Sequence, residues 1–302
     1  MKRAVSISLG ASKRDKTVEI TLLGERVQIE RRGTDGDMEK AARLYAELDG
    51  KVDAFGVGGA DLGMMVADRW YPFYSVHKMV RFVKHTPIVD GTGIKNTLEG
   101  RSAAVLDAKI PEYLQKAGRK AFVLVGSDRW GMTMAFYHGG YECLFGDLMF
   151  SFGIPIPLKT ERSLKLLAGL LMPIAGRLPF EWIYPTGEKQ EKHDPKFGEY
   201  YNWATVIAGD CHYLKRHRPK RMDGKIIVTN TTTPADVELF RAAGVKYLLT
   251  TTPVLEGRSF GTNMIEAALV AIAGKGRKLT HAELNALLDE LNFQPELQEL
   301  NP

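Results

Sequence analysis

Short apolar runs alternate with amphipathic stretches along most of the chain. In the N-terminal part, apolar and alternating runs predict strands at residues 5–9, 17–23, 26–31, 52–57 and 87–89. Helical spacing predicts one helix that starts at Asp35 or Asp37 and ends near Leu48, and another over residues 75–84.

From residue 121 onward the alternation is more regular. Strands are predicted at residues 121–125, 142–145, 205–207, 225–228 and 246–249, with helices between them at 131–139, 211–216 and 235–243. Short buried strands that alternate with helices favour a parallel sheet covered on both faces. A long helical stretch at 95–117 separates the two parts.

This pattern predicts an α/β protein of two domains. Residues 1–100 are predicted to form an N-terminal mixed α/β domain, and residues 101–260 a Rossmann-like parallel-sheet domain that binds a nucleotide. Residues 150–203 interrupt the second domain as an insertion with an apolar helix at 160–172. Residues 261–302 add two C-terminal helices, at 262–273 and 280–291.

Composition narrows the class of protein. The chain has 302 residues, of which 44% are hydrophobic and 25% charged, so a disordered or collagen-like chain is excluded. The two cysteines, Cys143 and Cys211, lack the spacing of a metal site and predict reduced thiols in a reducing compartment. We therefore predict no disulfide framework and no metal.

The charge balance bears on partners and location. A net charge of +5 and a pI near 9.0 suit a small anionic substrate, whereas the basic cluster at 215–221 lacks interleaved aromatic residues and gives little support for nucleic-acid binding. No run of about 18 apolar residues and no secretory signal is present. We expect a cytoplasmic protein without a membrane partner.

A glycine-bearing turn follows the predicted strand at 121–125. It joins that strand to a helix, where backbone N–H groups and the helix dipole can hold a pyrophosphate. Its first and last glycines have the spacing of the dinucleotide fingerprint, although an aspartate replaces the middle glycine. The candidate cofactor-binding residues in this turn are Gly126, Ser127, Asp128, Arg129 and Gly131.

A carboxylate completes this candidate nucleotide site. Asp147 lies 21 residues after Gly126, at the end of the next strand, where an acid can accept hydrogen bonds from a ribose 2′-hydroxyl and repel a 2′-phosphate. The cofactor that this pattern favours is NAD. The alternative is a plain strand–turn–helix connection in which Asp147 caps a loop.

Two predicted strands end in threonine triplets, at 231–233 and 250–252. In a parallel sheet their hydroxyls would gather at the carboxyl edge, where ligands bind. Thr231 and Thr232 are candidate cofactor-binding residues, and Thr251 is a candidate for the substrate together with Arg258 and Asn263 from the loop that opens the next helix. The alternative is that threonine is simply a good strand and cap residue.

A second candidate site lies in the N-terminal domain. Asp90-Gly91-Thr92-Gly93 follows a buried strand, and Asp90 could act as a general base or orient a hydroxyl, with Lys95 as a nearby cation. The alternative is an Asp-Gly turn, which is the commonest use of that dipeptide.

The order of these motifs resembles shikimate/quinate 5-dehydrogenases. The similar segments are Asp90-Gly91-x-Gly93-x4-Leu98, the helical bridge, the turn at Gly126 and the run Phe260-Gly261-Thr262-Asn263-Met264. The resemblance implies an N-terminal substrate domain, a Rossmann domain, and C-terminal helices that return to the first domain. It implies a catalytic role for Asp90. The family's T-x-P-x-K segment, which carries its catalytic lysine, is not found here, and the family's turn is richer in glycine.

The leading functional prediction is an NAD-dependent oxidoreductase that acts on a polyhydroxylated carboxylic acid of the quinate or shikimate type. Two alternatives stay open. One is a methyltransferase on the same scaffold, since such enzymes also place an acid at the second strand's end. The other is a non-catalytic nucleotide- or metabolite-binding protein, which Asp128 and the missing lysine motif favour. A homodimer is a candidate assembly.

Overall fold

The computed structural model describes residues 1–183, 193–255 and 258–302. These residues form two compact units. The first unit contains the described residues of Met1–Thr97, Leu171–Thr186 and Val254–Phe293, and the second those of Leu98–Leu170, Gly187–Pro253 and Gln294–Pro302.

The N-terminal segment contains most of the first unit. Its elements are β1 (Lys2–Ser8), β2 (Lys16–Leu22), β3 (Glu25–Gly33), α1 (Met38–Leu48), β4 (Ala54–Gly58), β5 (Gly63–Val66), β6 (Arg69–Pro72), α2 (Tyr74–His77), β7 (Ile88–Val89) and α3 (Thr92–Asn96).

The middle of the chain contains most of the second unit. Its elements are α4 (Ser102–Lys109), α5 (Pro111–Ala117), β8 (Lys120–Val123), α6 (Trp130–His138), β9 (Glu142–Phe145), α7 (Asp147–Phe152), α8 (Glu161–Ala175), α9 (Phe180–Ile183), α10 (Gly198–Trp203), β10 (Val206–Ala208), α11 (Cys211–His217), β11 (Ile226–Thr229), α12 (Pro234–Ala242) and β12 (Tyr247–Thr250). The C-terminal part adds β13 (Val254–Leu255), β14 (Arg258–Ser259), α13 (Thr262–Ala273), α14 (His281–Glu290) and β15 (Glu296–Glu299).

The first unit is built on a five-stranded sheet in the order β2-β3-β1-β4-β7. Four of its strands are parallel, and β2 runs antiparallel to β3. Helix α1 covers it because Ala41, Ala42, Tyr45 and Leu48 recur at helical spacing and are all buried. The Asp37 carboxylate caps this helix by accepting the Lys40 N–H at 2.8 Å.

The second unit has a six-stranded sheet in the order β15-β12-β11-β10-β8-β9. Strands β8 to β12 are parallel, and their short runs are almost wholly buried, as expected of a sheet covered on both faces. Phe122, Ile207, Ile227 and Leu248 from these strands belong to one hydrophobic core. The mixed and parallel sheets confirm the predicted α/β, Rossmann-like fold class.

Several predicted elements need correction. The helical stretch at 95–117 is divided into α3, a short 3-10 turn, α4 and α5. The break between α4 and α5 arises because Pro111 disfavours helical backbone at Ile110, whose φ is −136° and ψ 46°. The helix predicted at 75–84 ends at His77 and continues as a 3-10 turn to Val80.

Two features were not predicted at all. Strands β5 and β6 form a small hairpin, and β15 pairs antiparallel with β12 and forms one edge of the sheet. The sequence of β15, Glu-Leu-Gln-Glu, has too few apolar positions to stand out from a loop.

The unit boundaries differ in detail from the predicted domains. The first break falls between Thr97 and Leu98, beside the predicted boundary at residue 100. The C-terminal segment is shared: α13 and α14 belong to the first unit, and β15 to the second. The predicted insertion at 150–203 is also shared, because the first unit takes the end of α8. None of the described helices is long and apolar enough to cross a membrane.

Candidate functional site

The sheet of the second unit has a topological switch point at β8. The chain passes from β8 to β9 on one side and later returns to β10 on the other. In open α/β sheets, ligands bind outside the carboxyl ends of the strands at such a point. Two turns follow those ends, Gly126–Arg129 after β8 and Gly209–Asp210 after β10.

The structure brings Gly126, Ser127 and Asp147 together. The N–H groups of Gly126 and Ser127 each donate to the Asp147 carboxylate at 2.9 Å, and the Ser127 hydroxyl donates at 2.5 Å. Burial raises the pKa of Asp147, while these hydrogen bonds act in the opposite direction. Asp147 thus holds the turn by hydrogen bonds, in line with the alternative in which it caps a loop, and its contact with a ribose stays a prediction.

Arg129 lies in a buried network of carboxylates. Its guanidinium is 2.6 Å from Glu99, 2.7 Å from Asp210 and 3.3 Å from Asp128. Arg129 and Glu99 are almost fully buried, so each charge depends on the other for compensation. Asp210 also accepts a hydrogen bond from Asn230 at 3.0 Å, which ties β10 to β11.

These ion pairs bear on the predicted cofactor-binding role of the turn's charged side chains. Arg129 and Asp128 are engaged with each other and with neighbouring acids, and their predicted contact with a cofactor stays a prediction. Glu99 and Asp210 were not among the predicted cofactor-binding residues. Asp210 had a signal, since it follows a buried strand after a glycine as Ser127 does, whereas Glu99 had none.

The N-terminus of α6 points its backbone dipole at the same turn. Arg129 is the N-cap residue and makes no side-chain capping hydrogen bond, and Gly131 lies in the first turn of this nine-residue helix. Uncapped N–H groups at a helix N-terminus attract anions.

The two threonine triplets meet at the carboxyl edge, as predicted. The hydroxyls of Thr231 and Thr252 are 2.9 Å apart, and Thr252 also donates to the Asn230 carbonyl at 2.9 Å. The Thr251 hydroxyl is fully buried and has no hydrogen-bond partner among the described residues. Thr232 lies half-buried in the loop before α12, whereas Thr233 serves as the cap of that helix.

In the first unit, Asp90 is buried in the turn that its sequence predicts. Its carboxylate accepts the Leu62 N–H at 2.7 Å and the Thr92 N–H at 3.1 Å. Gly91 has a φ of +96°, and a Cβ there would lie 2.4 Å from the Thr262 hydroxyl, so only glycine fits. The Asp-Gly turn and the candidate site around Asp90, which were stated as alternatives, are therefore formed by the same residues.

Lys95 forms an ion pair with Asp61. The Lys95 Nζ lies 3.1 Å from the Asp61 carboxylate, and the lysine side chain is 9% exposed. Asp61 belongs to the loop after β4, and Lys95 to α3, which follows β7. These strands are parallel neighbours, so the pair sits where their carboxyl ends meet.

Glu266 is a further buried acid that the sequence analysis missed. Its carboxyl accepts the Gly93 N–H at 3.0 Å. Burial, followed by the nearby Asp90 carboxylate, raises the pKa of Glu266 to about 8. A single acid inside the apolar sequence of α13 gives no local signal of this role.

Of the two substrate candidates Asn263 and Arg258, the structure describes the side chain of Asn263 alone. The Asn263 side-chain amide donates to the Ser6 hydroxyl at 2.6 Å, and the Asn263 carbonyl would lie 2.9 Å from a Cβ at Gly56. Asn263 therefore fastens α13 to β1 and β4, and its contact with substrate stays a prediction. The side chain of Arg258 lies outside what the structure describes.

The two cysteines are thiols, and no metal-binding cluster accompanies them in the described residues. Cys143 and Cys211 are free and buried, and burial raises the pKa of each thiol to about 12. In the described part of the chain, no group of three or more His, Cys, Asp or Glu side chains is arranged to hold a metal ion.

A family model described as "Domain of unknown function (DUF8754)" matches residues 93–300. The chain belongs to this family. A second model, described as "Domain of unknown function (DUF8753)", matches residues 3–90, so the two matches meet at the Asp90–Gly93 turn. No curated protein matches the sequence.

Several solved structures are similar in part. A malic enzyme from Entamoeba histolytica is 13% identical with a TM-score of 0.37, covering 83% of this chain and 49% of its own. This chain thus spans about half the length of that enzyme. An NAD-dependent malic enzyme from Thermotoga maritima is 12% identical with a TM-score of 0.36, covering 95% and 84%. A glucose-galactose binding protein from Geobacillus stearothermophilus is 8% identical with a TM-score of 0.37, covering 99% and 97%. At these identities the likeness concerns the α/β fold class alone.

Proposed function

We propose that the chain is an NAD-dependent oxidoreductase that acts on a polyhydroxylated carboxylic acid of the quinate or shikimate type. The switch point of the second unit's sheet supports this most, because Gly126–Arg129 and Gly209–Asp210 follow neighbouring strand ends there.

The residues at the switch point fit a dinucleotide in two respects. The uncapped N-terminus of α6 offers backbone N–H groups to a pyrophosphate. Asp147 lies at the carboxyl end of β9 beside Gly126, where it would accept a ribose hydroxyl in place of the Ser127 hydroxyl. Thr231 and Thr232 border the same edge and are the further candidates for cofactor contact.

Bound NAD would supply the acceptor for the hydride of a secondary alcohol. In this proposal Lys95 transfers the proton. In the direction of reduction its ammonium gives a proton to the carbonyl oxygen. In the direction of oxidation the ammonium first releases a proton to solvent, and the neutral amine then accepts the hydroxyl proton. Asp61, at 3.1 Å, holds the amine in place.

Asp90 is then a positioning residue. One carboxylate oxygen holds the Leu62 N–H, next to Asp61, and the other holds the Thr92 N–H at the start of the helix that carries Lys95. Asp90 therefore fixes the two segments whose side chains form the ion pair. A carboxylate substrate would add its charge close to Lys95, and Arg258, from the same unit, is a further candidate for binding it.

The test combines ligand binding with turnover. Calorimetry with NAD, NADP and adenosylmethionine should show binding of NAD, and NADH formation should be followed with quinate and shikimate as substrates. We expect Lys95→Ala to lower turnover by about 10²–10⁴-fold with NAD affinity retained. The control Lys51→Ala removes an exposed lysine of the same unit and should leave turnover unchanged.

Two more variants separate the roles. Asp147→Ala should weaken NAD and spare or improve NADP. Asp90→Asn keeps the shape but removes the charge, so turnover should fall through misplacement of Lys95, with NAD affinity unchanged. Wild-type turnover in Lys95→Ala would refute the role of Lys95 in proton transfer. No binding of NAD by the unmodified protein, or no NADH formation with either substrate, would refute the dehydrogenase proposal.

A second candidate function is nucleotide or metabolite binding without catalysis. The observation in its favour is that both turn amides, Gly126 and Ser127, already donate to Asp147, and that the Asp128 carboxylate lies in the same turn. NAD or adenosylmethionine binding without turnover of any hydroxy acid would favour this function over the first.

A further inference from the structure

We propose that a cavity in the first unit, apart from the Lys95–Asp61 pair, binds the phosphate group of a small molecule. The cavity has a volume of about 450 Å³. It lies between the α2 segment, the loop that leads into β7, and the connection from α13 to α14. Cavities of this size hold small metabolites.

The ionisable side chains among the described residues that line this cavity are all basic. Lys84 and Lys278 line it together with the imidazoles of His77 and His85, and none of the described residues that line it carries a carboxylate. These four basic residues come from three segments, which are α2, the loop that holds both Lys84 and His85, and the connection after α13, and their side chains are exposed. Ammonium groups bind phosphate as point charges.

The loop that carries Lys84 and His85 is held in place by hydrogen bonds. The Asp49 carboxylate, after the end of α1, accepts the N–H groups of Lys84 at 2.8 Å, His85 at 3.1 Å and Thr86 at 2.9 Å. The Thr86 hydroxyl in turn accepts the Gly50 N–H at 2.8 Å. Both carboxylate oxygens of Asp49 are thus turned to the backbone of this loop.

The opposite wall is also fixed. The His77 Nε2 lies 2.9 Å from the Leu62 carbonyl, and the Leu62 N–H donates to Asp90 at 2.7 Å. Lys278 lies 6.0 Å above the Trp70 ring. The backbone around the cavity is thus held by hydrogen bonds, so little backbone ordering is needed when an anion binds.

Most of the remaining lining is apolar and indicates which chemical group a larger ligand would carry beside its phosphate. Val80, Val83, Pro87 and Ile88 give the cavity an apolar wall beside its cations. This combination suits either free phosphate or a phosphate monoester with a small apolar group, and the two share the phosphate that the lysines recognise.

Calorimetry tests the site without any cofactor or turnover. Inorganic phosphate and phenyl phosphate should each be titrated into the full chain, the variant Lys84→Ala/Lys278→Ala and the control Lys275→Ala/Lys116→Ala. The control pair removes the same charge but lies outside the cavity lining, and Lys275 pairs with Glu283 at 2.6 Å. The thermal midpoint of each variant checks that it folds.

We expect both probes to bind the wild-type chain, and Lys84→Ala/Lys278→Ala to weaken them at least about tenfold, since two charge-assisted contacts are lost. The control pair should change affinity less than about twofold. Tighter binding of phenyl phosphate would identify a monoester site, and equal binding a free-phosphate site. No binding to the wild type, or equal loss in variant and control, would overturn the proposal. Neither result depends on the dehydrogenase activity.

Discussion

Replacing Glu266 by glutamine should change how the stability of the first unit depends on pH. In the folded protein the Glu266 pKa is about 8, because the carboxyl is buried and the Asp90 carboxylate is near, against an ordinary value of 4.5. Between these two pH values the folded chain holds a proton that the unfolded chain has released. The free energy of unfolding therefore falls as pH rises through this window and levels off above pH 8.

The magnitude follows from the two pKa values. A difference between 4.5 and about 8 corresponds to roughly 4–5 kcal/mol over the full window. A domain is stable by about 5–15 kcal/mol, so this loss is a large share of the total. Glutamine is uncharged at every pH and its amide oxygen can still accept the Gly93 N–H, so Glu266→Gln should lack this dependence.

Urea unfolding of the wild type and Glu266→Gln at about pH 5.5 and about pH 8.5 measures the effect. We expect the variant to gain roughly 3 kcal/mol relative to the wild type between these conditions. The control is Glu290→Gln, an exposed glutamate of the same unit, which should follow the wild type. A difference between Glu266→Gln and wild type that stays constant within about 0.5 kcal/mol would refute the assignment of a raised pKa.

Three further predictions concern other buried groups. Glu99→Gln should destabilise the second unit by about 3 kcal/mol in urea unfolding, because it leaves the buried Arg129 charge with less compensation. The control is Asp223→Asn, which changes an exposed aspartate, and a smaller loss of stability in Glu99→Gln than in this control would contradict the prediction. Gly91→Ala should cost more stability than Gly36→Ala, since both glycines have positive φ but only Gly91 is crowded, at 2.4 Å. Both thiols should react with a thiol reagent only on unfolding, because burial raises their pKa values to about 12, and rapid labelling of the native protein would exclude this.

The regular part of the fold was predictable because burial in a parallel sheet leaves a local mark. The five parallel strands of the second unit are short, mostly apolar runs, and each was predicted within a residue or two of its observed bounds. Strand β15 was missed because an edge strand needs apolar positions on one face at most, and its pairing with β12 is decided by the sheet.

The prediction of one helical stretch over residues 95–117 was wrong for a different reason. Its composition is compatible with one long helix, but Pro111 starts a new one and constrains Ile110 before it. A proline inside a helical pattern marks a boundary, and greater weight on Pro111 would have given the observed division between α4 and α5.

The candidate site was predictable where one turn holds it and unpredictable where it is assembled from distant segments. Asp147 was found because a fixed spacing after Gly126 places it beside the turn. The partners of Arg129 are 30 and 81 residues away, and no spacing rule connects them. The residue types alone left open whether Asp147 would contact a ribose or cap a loop.

The same distinction bears on the missing lysine motif. The T-x-P-x-K motif would place a catalytic lysine upstream of Asp90, and the sequence upstream of Asp90 does not contain this motif. The structure nevertheless pairs a lysine with a carboxylate at neighbouring strand ends, with Asp61 upstream of Asp90 and Lys95 downstream. An ion pair is defined by the distance between two side chains, and either strand end can supply either partner. The absence of the linear motif therefore does not argue against proton transfer in the first unit, and the Lys95→Ala variant is the measurement that bears on it.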